Sequence, residues 1–407
     1  MTRKIIHNAK IITPSAIIPH GYLVIENNKI IDVNEGDIYA MDVEMIDAAG
    51  CYISPGLIDI QVNGYNSVSF SLESAEKTTT GNKDLTVDDV KKVTEGLWKE
   101  GVTTYFPTLT TNSRELLVKN FRTLAIAASD NANLGSIAGF HLEGPYISQI
   151  DGYRGAHPLE HVRKPDMEEF KEFFKAAGGN IKLVTLAPET EGAMEFIFEC
   201  RKMGIVVSLG HHNGSPDQIT KAINNGAVLS THLGNGCPRN IDRHNNHLWP
   251  QLADSRLRIC VIADGFHLTP EMLQVFYKVK GVENIILTSD MTSYAGMPTG
   301  IYKIKNGETI EKAANGKLSF SATNGGLYGS ATTLQDGVAH FMNVTGCNLQ
   351  AAIKMATFNP ANLHGLTDRG TIEVGKRADL MIFTIENTKI VIKKTIVAGK
   401  VVYAIAN

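Results

Sequence analysis

Acidic and imidazole side chains stand at the ends of one apolar run after another in this chain. Each run has the length of a buried strand and is rich in Ile, Val and Leu. The ionisable residues at these points are Glu143, His211, His232, Asp264, His267 and Asp290. One carboxylate, two imidazoles and a further aspartate are what a hydrolytic metal site with an open coordination position and a general base requires. The sequence therefore predicts such a site from Glu143, His211, His232 and Asp290.

The elements that must position these side chains alternate between helix and strand from residue 54 to about residue 366. A capping-box pattern at Thr86–Asp89 predicts a helix that ends at Gly101 and leads into a strand over 102–106. The same unit recurs, with helices near 191–203, 217–224 and 269–279 that each end at a glycine. This alternation favours a (β/α)8 TIM-like barrel over a doubly wound sheet, and the carboxyl ends of barrel strands converge on the face where active sites are built.

The two ends of the chain have a different pattern from its middle. Residues 1–55 and 368–407 contain short β-rich runs that are separated by Asn, Pro and Gly turn signals. Neither segment has enough strands for a stable unit of its own. We therefore expect an α/β protein in which both termini build one small β-sandwich domain, and residues 56–367 form the hydrolase barrel.

Composition excludes several classes of partner. The chain has 407 residues, with 39 basic and 42 acidic side chains and a formal net charge of −3. No block of Lys or Arg indicates binding to nucleic acid or to an anionic membrane, and no apolar run is long enough to span a bilayer. The five cysteines are scattered and form no C-x-x-C pair, which is typical of reduced thiols, so a cytoplasmic protein is expected.

Several short motifs mark the chain at the strand ends and at the entry to the barrel. They are 54–64 (SPGLIDIQVNG), 141–145 (HLEGP), 184–189 (VTLAPE), 210–211 (GH), 231–235 (THLGN), 262–267 (IADGFH) and 289–290 (SD). Together they resemble the motifs of the N-acetylglucosamine-6-phosphate deacetylase family of the amidohydrolase superfamily, in that family's order and over nearly the whole chain. The His-Leu-Glu-Gly-Pro and Thr-His-Leu segments are the most specific of these.

The resemblance implies an activity and assigns roles within the predicted site. It implies metal-dependent removal of the N-acetyl group of an N-acetylhexosamine 6-phosphate, with N-acetylglucosamine 6-phosphate as the first candidate, to give the amino-sugar phosphate and acetate. Glu143, His211 and His232 match the ligands of one metal ion, and Asp290 matches the general base. His157 matches a histidine that polarises the amide carbonyl, although a solvated loop histidine is the alternative.

The resemblance also implies residues that hold the substrate. Asn235 and Gly236 match residues that contact sugar and phosphate, and His267 matches a histidine near the sugar hydroxyls. Arg243 matches the phosphate-binding arginine, with an unliganded surface arginine as the alternative. The family's habit of shared sites implies a homodimer in which this arginine reaches the neighbouring subunit's pocket.

The chain departs from the family pattern around the metal and the phosphate. Many amidohydrolases have His-x-His on the first strand and bind two metals, whereas this chain has Gln61 and Asn63. Amides are poor zinc ligands, so one divalent ion is expected, with zinc first and iron, cobalt or manganese as alternatives. The segment 243–250 (RHNNHLWP) is unlike the family, and its His244 and His247 are expected to lie in a solvated loop, with extra polar contacts in the pocket as the alternative.

Two other classes of function stay open at this stage. Another deacylase of the superfamily, acting on N-acetylgalactosamine 6-phosphate or on an unphosphorylated or cyclic amide, would keep the metal ligands and Asp290. A non-catalytic sugar-phosphate sensor on the same scaffold would be expected to lose one of them, and the sequence has lost none. Fold alone does not decide between these classes.

Overall fold

The computed structural model describes residues 3–71, 84–303, 308–321 and 326–405. Within these residues, eight parallel strands form one sheet in the order that a nearly closed barrel requires. The barrel strands are Leu57–Val62, Val102–Thr110, Phe140–Glu143, Ile181–Leu186, Val206–Leu209, Ala227–Ser230, Arg258–Ile262 and Ile285–Thr288. A parallel bridge between Val62 and Met291 joins the end of the first strand to the segment after the last. The predicted α/β barrel is confirmed.

Helices cross from one barrel strand to the next and cover the outside of the sheet. The described helices are Val87–Lys99, Arg114–Ser129, Met167–Ala176, Ala193–Lys202, Pro216–Asn225, Leu248–Ala253, Pro270–Lys280, Leu334–Thr345, Leu349–Met355 and Phe358–Leu363. Thr86 and Asp89 form the predicted capping box, and Gly101 has a φ of 74° directly after the helix. Thr86 and Asp89 therefore cap the start of this helix, and Gly101 follows its end, as their residue types predict.

Side chains inside the barrel change from apolar to polar toward the carboxyl ends of the strands. Leu183 and Leu229 belong to an apolar cluster in the interior. Two residues further along the chain, on the same side because side chains alternate, stand Thr185, within its strand, and Thr231, directly after its strand. Glu143 likewise follows His141 by two residues and is the last residue of its strand. Period-two alternation thus places polar side chains at the barrel mouth and in the layer directly beneath it.

Both termini build a second, mostly antiparallel sheet, as predicted. Its strands are Arg3–Ile12, Ile17–Glu26, Lys29–Glu35, Glu44–Asp47, Tyr52–Pro55, Leu380–Glu386, Lys389–Val397 and Lys400–Ala404. The link between the two ends is the antiparallel pair of Tyr52–Pro55 with Leu380–Glu386. Apolar side chains from both ends, among them Ile11 and Ile382, share one core. The domain boundaries at 55/56 and 367/368 stay a prediction.

Two further features bear on the expectations from sequence. All five cysteines are free thiols. Among the described residues, no helix has both the length and the apolar character needed to cross a membrane.

Candidate active site at the mouth of the barrel

The barrel mouth gathers the ionisable residues that the sequence singled out. Glu143, His211, His232 and Asp290 line one cavity of about 1260 Å³ at the carboxyl ends of the strands. Each side chain is buried or nearly so, with Glu143 only 2% exposed. The two histidines and Asp290 come two residues after the ends of three different strands. Residues that are far apart in the chain therefore meet because parallel strands end together.

The backbone at this mouth is strained at the residues that carry the chemistry. His211, His232 and Asp290 have φ values of 52°, 30° and 49°, in the left-handed region that residues other than glycine rarely adopt. Each such residue costs about 1–3 kcal/mol and persists where the surroundings fix it. The carbonyl of His211 accepts a hydrogen bond from the Ser148 N–H at 2.9 Å. Strained residues of this kind cluster at active sites, in agreement with the chemistry of the side chains.

Three donor atoms converge in a way that fits a metal ion. His232 Nε2 lies 3.1 Å from Glu143 Oε1 and 3.1 Å from His211 Nε2, and His211 Nε2 lies 3.4 Å from Glu143 Oε1. Donor atoms that surround a common zinc ion tetrahedrally at about 2.1 Å are roughly 3.4 Å from one another. The spacing and the chemistry of this Glu-His-His set therefore fit a divalent metal ion.

The surroundings prepare these side chains to act as ligands. His211 Nδ1 lies 3.0 Å from the carbonyl oxygen of Tyr153, which can only accept, so Nδ1 carries the proton and Nε2 is free to bind a metal. Burial acts to raise the pKa of Glu143, but the neighbouring His211 and His232 side chains hold that pKa well below its ordinary value. Glu143 is therefore an anionic ligand beside two imidazoles.

His157 stands next to this set and widens the choice of ligands. A ligand atom of His157 lies within 4.8 Å of ligand atoms of Glu143 and His211. Its Nδ1 is 2.7 Å from Thr111 Oγ1, and burial lowers the pKa of His157 to about 3, so the ring is neutral at physiological pH. The 3.1–3.4 Å distances favour His232 as the third ligand, and His157 lines the cavity beside the donor set. His157 is buried, which argues against a solvated loop histidine.

Asp290 is placed to exchange protons beside the donor set. Asn63 Nδ2 donates a hydrogen bond of 2.7 Å to Asp290 Oδ1. Burial, followed by the negative charge of Glu143, raises the pKa of Asp290 to about 7. A carboxyl group whose pKa lies near neutrality can both accept and return a proton.

Sequence reasoning noted Gln61 and Asn63 as departures from a metal-binding pair but missed what they contact. Gln61 Nε2 donates a hydrogen bond of 2.9 Å to Glu143 Oε1, and Asn63 contacts Asp290 as described above. The available signal was the spacing of the two amides, since residues two apart at a strand end share one face. Thr111 and Tyr153, which fix His157 and His211, gave no such signal in the sequence.

The predicted substrate residues divide into two groups in this structure. Asn235, Gly236 and His267 line the cavity. Gly236 has a φ of 62°, and a Cβ there would lie 2.9 Å from His211 Nδ1, so glycine is required for the close approach. Arg243 is exposed and, among the described residues, does not belong to the lining of this chain's cavity. Its carbonyl accepts a hydrogen bond of 2.9 Å from Trp249 Nε1.

The loop that carries Arg243 is anchored by His247, for which the expectation of a solvated position is wrong. His247 is only 5% exposed, and its ring packs against the rings of Tyr153 and His212 at 5.6 and 5.4 Å between centroids. His212 is itself buried, and its Nδ1 accepts a hydrogen bond of 3.1 Å from the Gly214 N–H. The helix Leu248–Ala253 follows directly, and Gln251 Nε2 within it donates a hydrogen bond of 2.8 Å to the carbonyl of His247.

Comparisons with known proteins agree with this arrangement. The amidohydrolase family profile matches residues 52–402. N-acetylglucosamine-6-phosphate deacetylase of Bos taurus is 30% identical over 372 residues, 89% of this chain and 86% of that protein. The protein of the same name from Lysinibacillus sphaericus is 28% identical over 397 residues, 98% of this chain and 97% of that one.

A solved structure extends the likeness to three dimensions. The crystal structure of N-acetylglucosamine-6-phosphate deacetylase from Pasteurella multocida matches with a TM-score of 0.86 at 29% identity, and the match covers 99% of this chain and 100% of that chain. The chain therefore belongs to the amidohydrolase superfamily and, within it, to the N-acetylglucosamine-6-phosphate deacetylase family.

Proposed function

We propose that this protein hydrolyses the N-acetyl group of an N-acetylhexosamine 6-phosphate, N-acetylglucosamine 6-phosphate first, to the amino-sugar phosphate and acetate. One observation carries the proposal: the donor atoms of Glu143, His211 and His232 lie 3.1–3.4 Å apart beside buried Asp290 in a large cavity. The relatives that share the fold carry the name of this activity. The compartment that fits such an enzyme of amino-sugar metabolism is the cytoplasm.

The proposed cofactor is one divalent metal ion held by Glu143, His211 and His232. Zinc suits two imidazoles and a carboxylate, and iron, cobalt and manganese are the alternatives. When bound, such an ion supplies Lewis acidity that lowers the pKa of water toward ~7 and polarises a carbonyl group. Gln61 and Asn63 supply no imidazole for a second ion, which supports a single-metal site.

The protein side chains handle the protons and the substrate carbonyl. Asp290 accepts the proton of the attacking water through its carboxylate and returns it to the amine that leaves. His157 is neutral, and if Thr111 donates to Nδ1 the proton is on Nε2, where it can donate to the amide oxygen. Both side chains line the same cavity as the donor set. The arrangement therefore supports attack, carbonyl polarisation and protonation of the leaving amine at one place.

The sugar phosphate would be held by Asn235, Gly236 and His267 from this chain. His267 is oriented by Asp264, whose Oδ2 lies 2.7 Å from His267 Nδ1. We assign the phosphate to Arg243, because the planar fork of arginine donates two charge-assisted bonds. Since Arg243 is exposed outside its own cavity, it would serve the pocket of a neighbouring copy in a homodimer.

Acetate release tests the function directly. The purified, metal-loaded protein is given N-acetylglucosamine 6-phosphate, its galactosamine epimer and both unphosphorylated sugars. We expect the highest kcat/KM for N-acetylglucosamine 6-phosphate. Equal kcat/KM with and without phosphate would indicate another deacylase of the superfamily, and binding without acetate release would indicate a sensor.

Arg243→Ala tests the phosphate assignment. We expect a loss of about 1.5–3 kcal/mol in transition-state stabilisation for phosphorylated substrate and little change for the unphosphorylated sugar. Arg239→Ala is the comparison variant, because Arg239 lines the cavity of its own chain. If Arg239→Ala instead shows the loss that is selective for phosphorylated substrate, then Arg239 rather than Arg243 binds the phosphate.

Mixing subunits tests whether Arg243 acts across a dimer. Hybrids of Asp290→Asn chains with Arg243→Ala chains contain one pocket with intact Asp290 and an intact arginine from the neighbour. We expect such mixtures to be more active than either variant alone. No recovery in hybrids that are shown to form, or a monomer by sedimentation, would contradict the shared site.

A further inference from the structure

The end of the first barrel strand places two amide side chains against the two carboxylates of the site. Gln61 is the penultimate residue of the strand Leu57–Val62, and Asn63 follows the strand directly. Gln61 is 2% exposed, so its amide is withdrawn from solvent. A carboxylate can only accept hydrogen bonds, so in both contacts the amide nitrogen is the donor.

Gln61 contacts the oxygen of Glu143 that faces the histidines. Its Nε2 is 2.9 Å from Glu143 Oε1, the same atom that lies 3.1 Å from His232 Nε2 and 3.4 Å from His211 Nε2. This amide therefore fixes the direction of the glutamate oxygen within the donor set. A buried ligand carboxylate without such a donor would be free to turn away from the histidines.

Asn63 contacts one oxygen of Asp290 and is itself held rigidly. Its N–H donates 2.8 Å to the carbonyl of Met291, and its carbonyl accepts 2.9 Å from the N–H of Phe70. Its side chain donates 2.7 Å to Asp290 Oδ1, and no other residue of the described part of the chain donates to the carboxylate of Asp290. Oδ1 thus accepts this amide hydrogen bond, whereas Oδ2 accepts none from the described residues.

We propose that Gln61 and Asn63 are positioning residues with separate tasks, Gln61 orienting Glu143 within the metal-ligand set and Asn63 orienting Asp290 so that Oδ2 faces the reacting water. The inference rests on the proposed function, because it assigns the two amides to the two carboxylates of that site. An amide suits both tasks because it donates a hydrogen bond and cannot lose its proton at any pH at which the protein is folded.

Two variants of similar size separate these tasks. Gln61→Met removes the donor from Glu143, and Asn63→Leu removes it from Asp290. For Gln61→Met we expect metal affinity to fall about 10–100-fold, as for other outer-shell contacts, while kcat at saturating metal stays within a few-fold of the parent. With Co²⁺ bound, its visible spectrum should shift, because the spectrum reports ligand geometry.

Asn63→Leu should show the opposite division. We expect kcat to fall about 10–100-fold while metal affinity, the Co²⁺ spectrum and KM stay within a few-fold of the parent. Each variant is the other's control, because both lose one amide from the same strand end. If either melts well below the parent, Gln61→Asn, which is too short to reach Glu143, or the smaller Asn63→Ala takes its place, with the same expectation.

The outcomes distinguish this inference from the proposed function. Unchanged metal affinity in Gln61→Met, or unchanged kcat in Asn63→Leu, overturns the corresponding assignment. Equal loss of metal and kcat in both variants means that the amides serve only general structure and overturns both. A parent protein that binds metal but releases no acetate contradicts the proposed function, and the metal titrations of Gln61→Met still decide the role of Gln61.

Discussion

The barrel mouth and the polar layer immediately beneath it contain the same kinds of side chain, but these side chains differ in whether their hydrogen bonds are satisfied by one another. Below the mouth, polar groups satisfy one another: His141 Nε2 is 2.8 Å from Thr185 Oγ1, which is 2.7 Å from Thr231 Oγ1. Burial lowers the pKa of His141 to about 4, so this histidine is neutral. At the mouth, the Nε2 atoms of His211 and His232 instead face each other and one carboxylate oxygen. A satisfied network stabilises the barrel, and a converging donor set binds a ligand.

Asp59 and Asp290 are both buried and both have a raised pKa, but they differ in their hydrogen-bond donors. Burial is the largest cause that raises the pKa of Asp59 to about 6 and that of Asp290 to about 7. Asp59 accepts from the hydroxyls of Thr288 and Ser289 and from the N–H groups of Gln61 and Ser289. Among the described residues, Asp290 has one side-chain donor, Asn63, and it lines the cavity. A raised pKa therefore does not by itself identify a catalytic carboxyl; access to the cavity and an oxygen that accepts no hydrogen bond from the described residues do so.

Removing the donor set should have the largest effect. In a His211→Ala, His232→Ala double variant, two of the three proposed ligands are lost, so we expect the metal content to fall from about one ion per chain to close to none, and activity with it. Elemental analysis after dialysis measures this, and circular dichroism checks the fold.

A variant in the polar layer beneath the barrel mouth provides the control for the same experiment. Thr185→Val removes a hydroxyl of the satisfied network and should leave the metal content unchanged. Full metal retention in the double variant would mean that the ligands are wrongly assigned. About two ions per chain in the parent would contradict the single-metal site.

The next largest effect is expected for Asp290→Asn. The amide of asparagine can hydrogen-bond to water but cannot accept its proton at neutral pH, so kcat should fall about 10²–10⁴-fold while substrate binding is kept. Because the proton is taken up and then returned, the loss belongs toward the upper end of that range. A fully metallated variant within a few-fold of the parent would show that Asp290 is not the proton acceptor.

Much of this arrangement could be predicted from the sequence, because strand ends and helix ends have local signals. A glycine marks where a helix ends, and an apolar run marks the strand that leads to Glu143 or Asp290. Both signals are local, because they reflect backbone geometry and the alternation of side chains along a strand. Gln61 and Glu143 are separated by 82 positions in the chain, and Asn63 and Asp290 by 227. Only the closed barrel brings the members of each pair together. The burial of His247 likewise depends on packing against His212 from another strand end. Long-range pairing of this kind has no signature in one sequence.

The smallest effect on catalysis is expected for Asp59→Asn. The Oδ1 of asparagine can still accept from Thr288 and from the two N–H groups, and the Ser289 hydroxyl can turn to accept from the amide. We therefore expect kcat and metal content within a few-fold of the parent, in contrast to Asp290→Asn. Steady-state kinetics and elemental analysis of the two asparagine variants, side by side, measure the difference. A loss of kcat in Asp59→Asn comparable to that in Asp290→Asn would erase the distinction between the two regions.

The pH dependence of stability provides the control for Asp59. Because its folded pKa of about 6 is raised above the ordinary 3.8, the parent keeps the associated stability below about pH 4 and loses it as pH rises through 6. An asparagine side chain cannot ionise, so Tm of Asp59→Asn relative to the parent should improve between pH 4 and pH 7. Asp59→Leu leaves the surrounding donors without an acceptor and should cost about 1–3 kcal/mol for each group that stays buried and unpaired. If the difference in Tm between Asp59→Asn and the parent does not change with pH, Asp59 is not the buried acid described above.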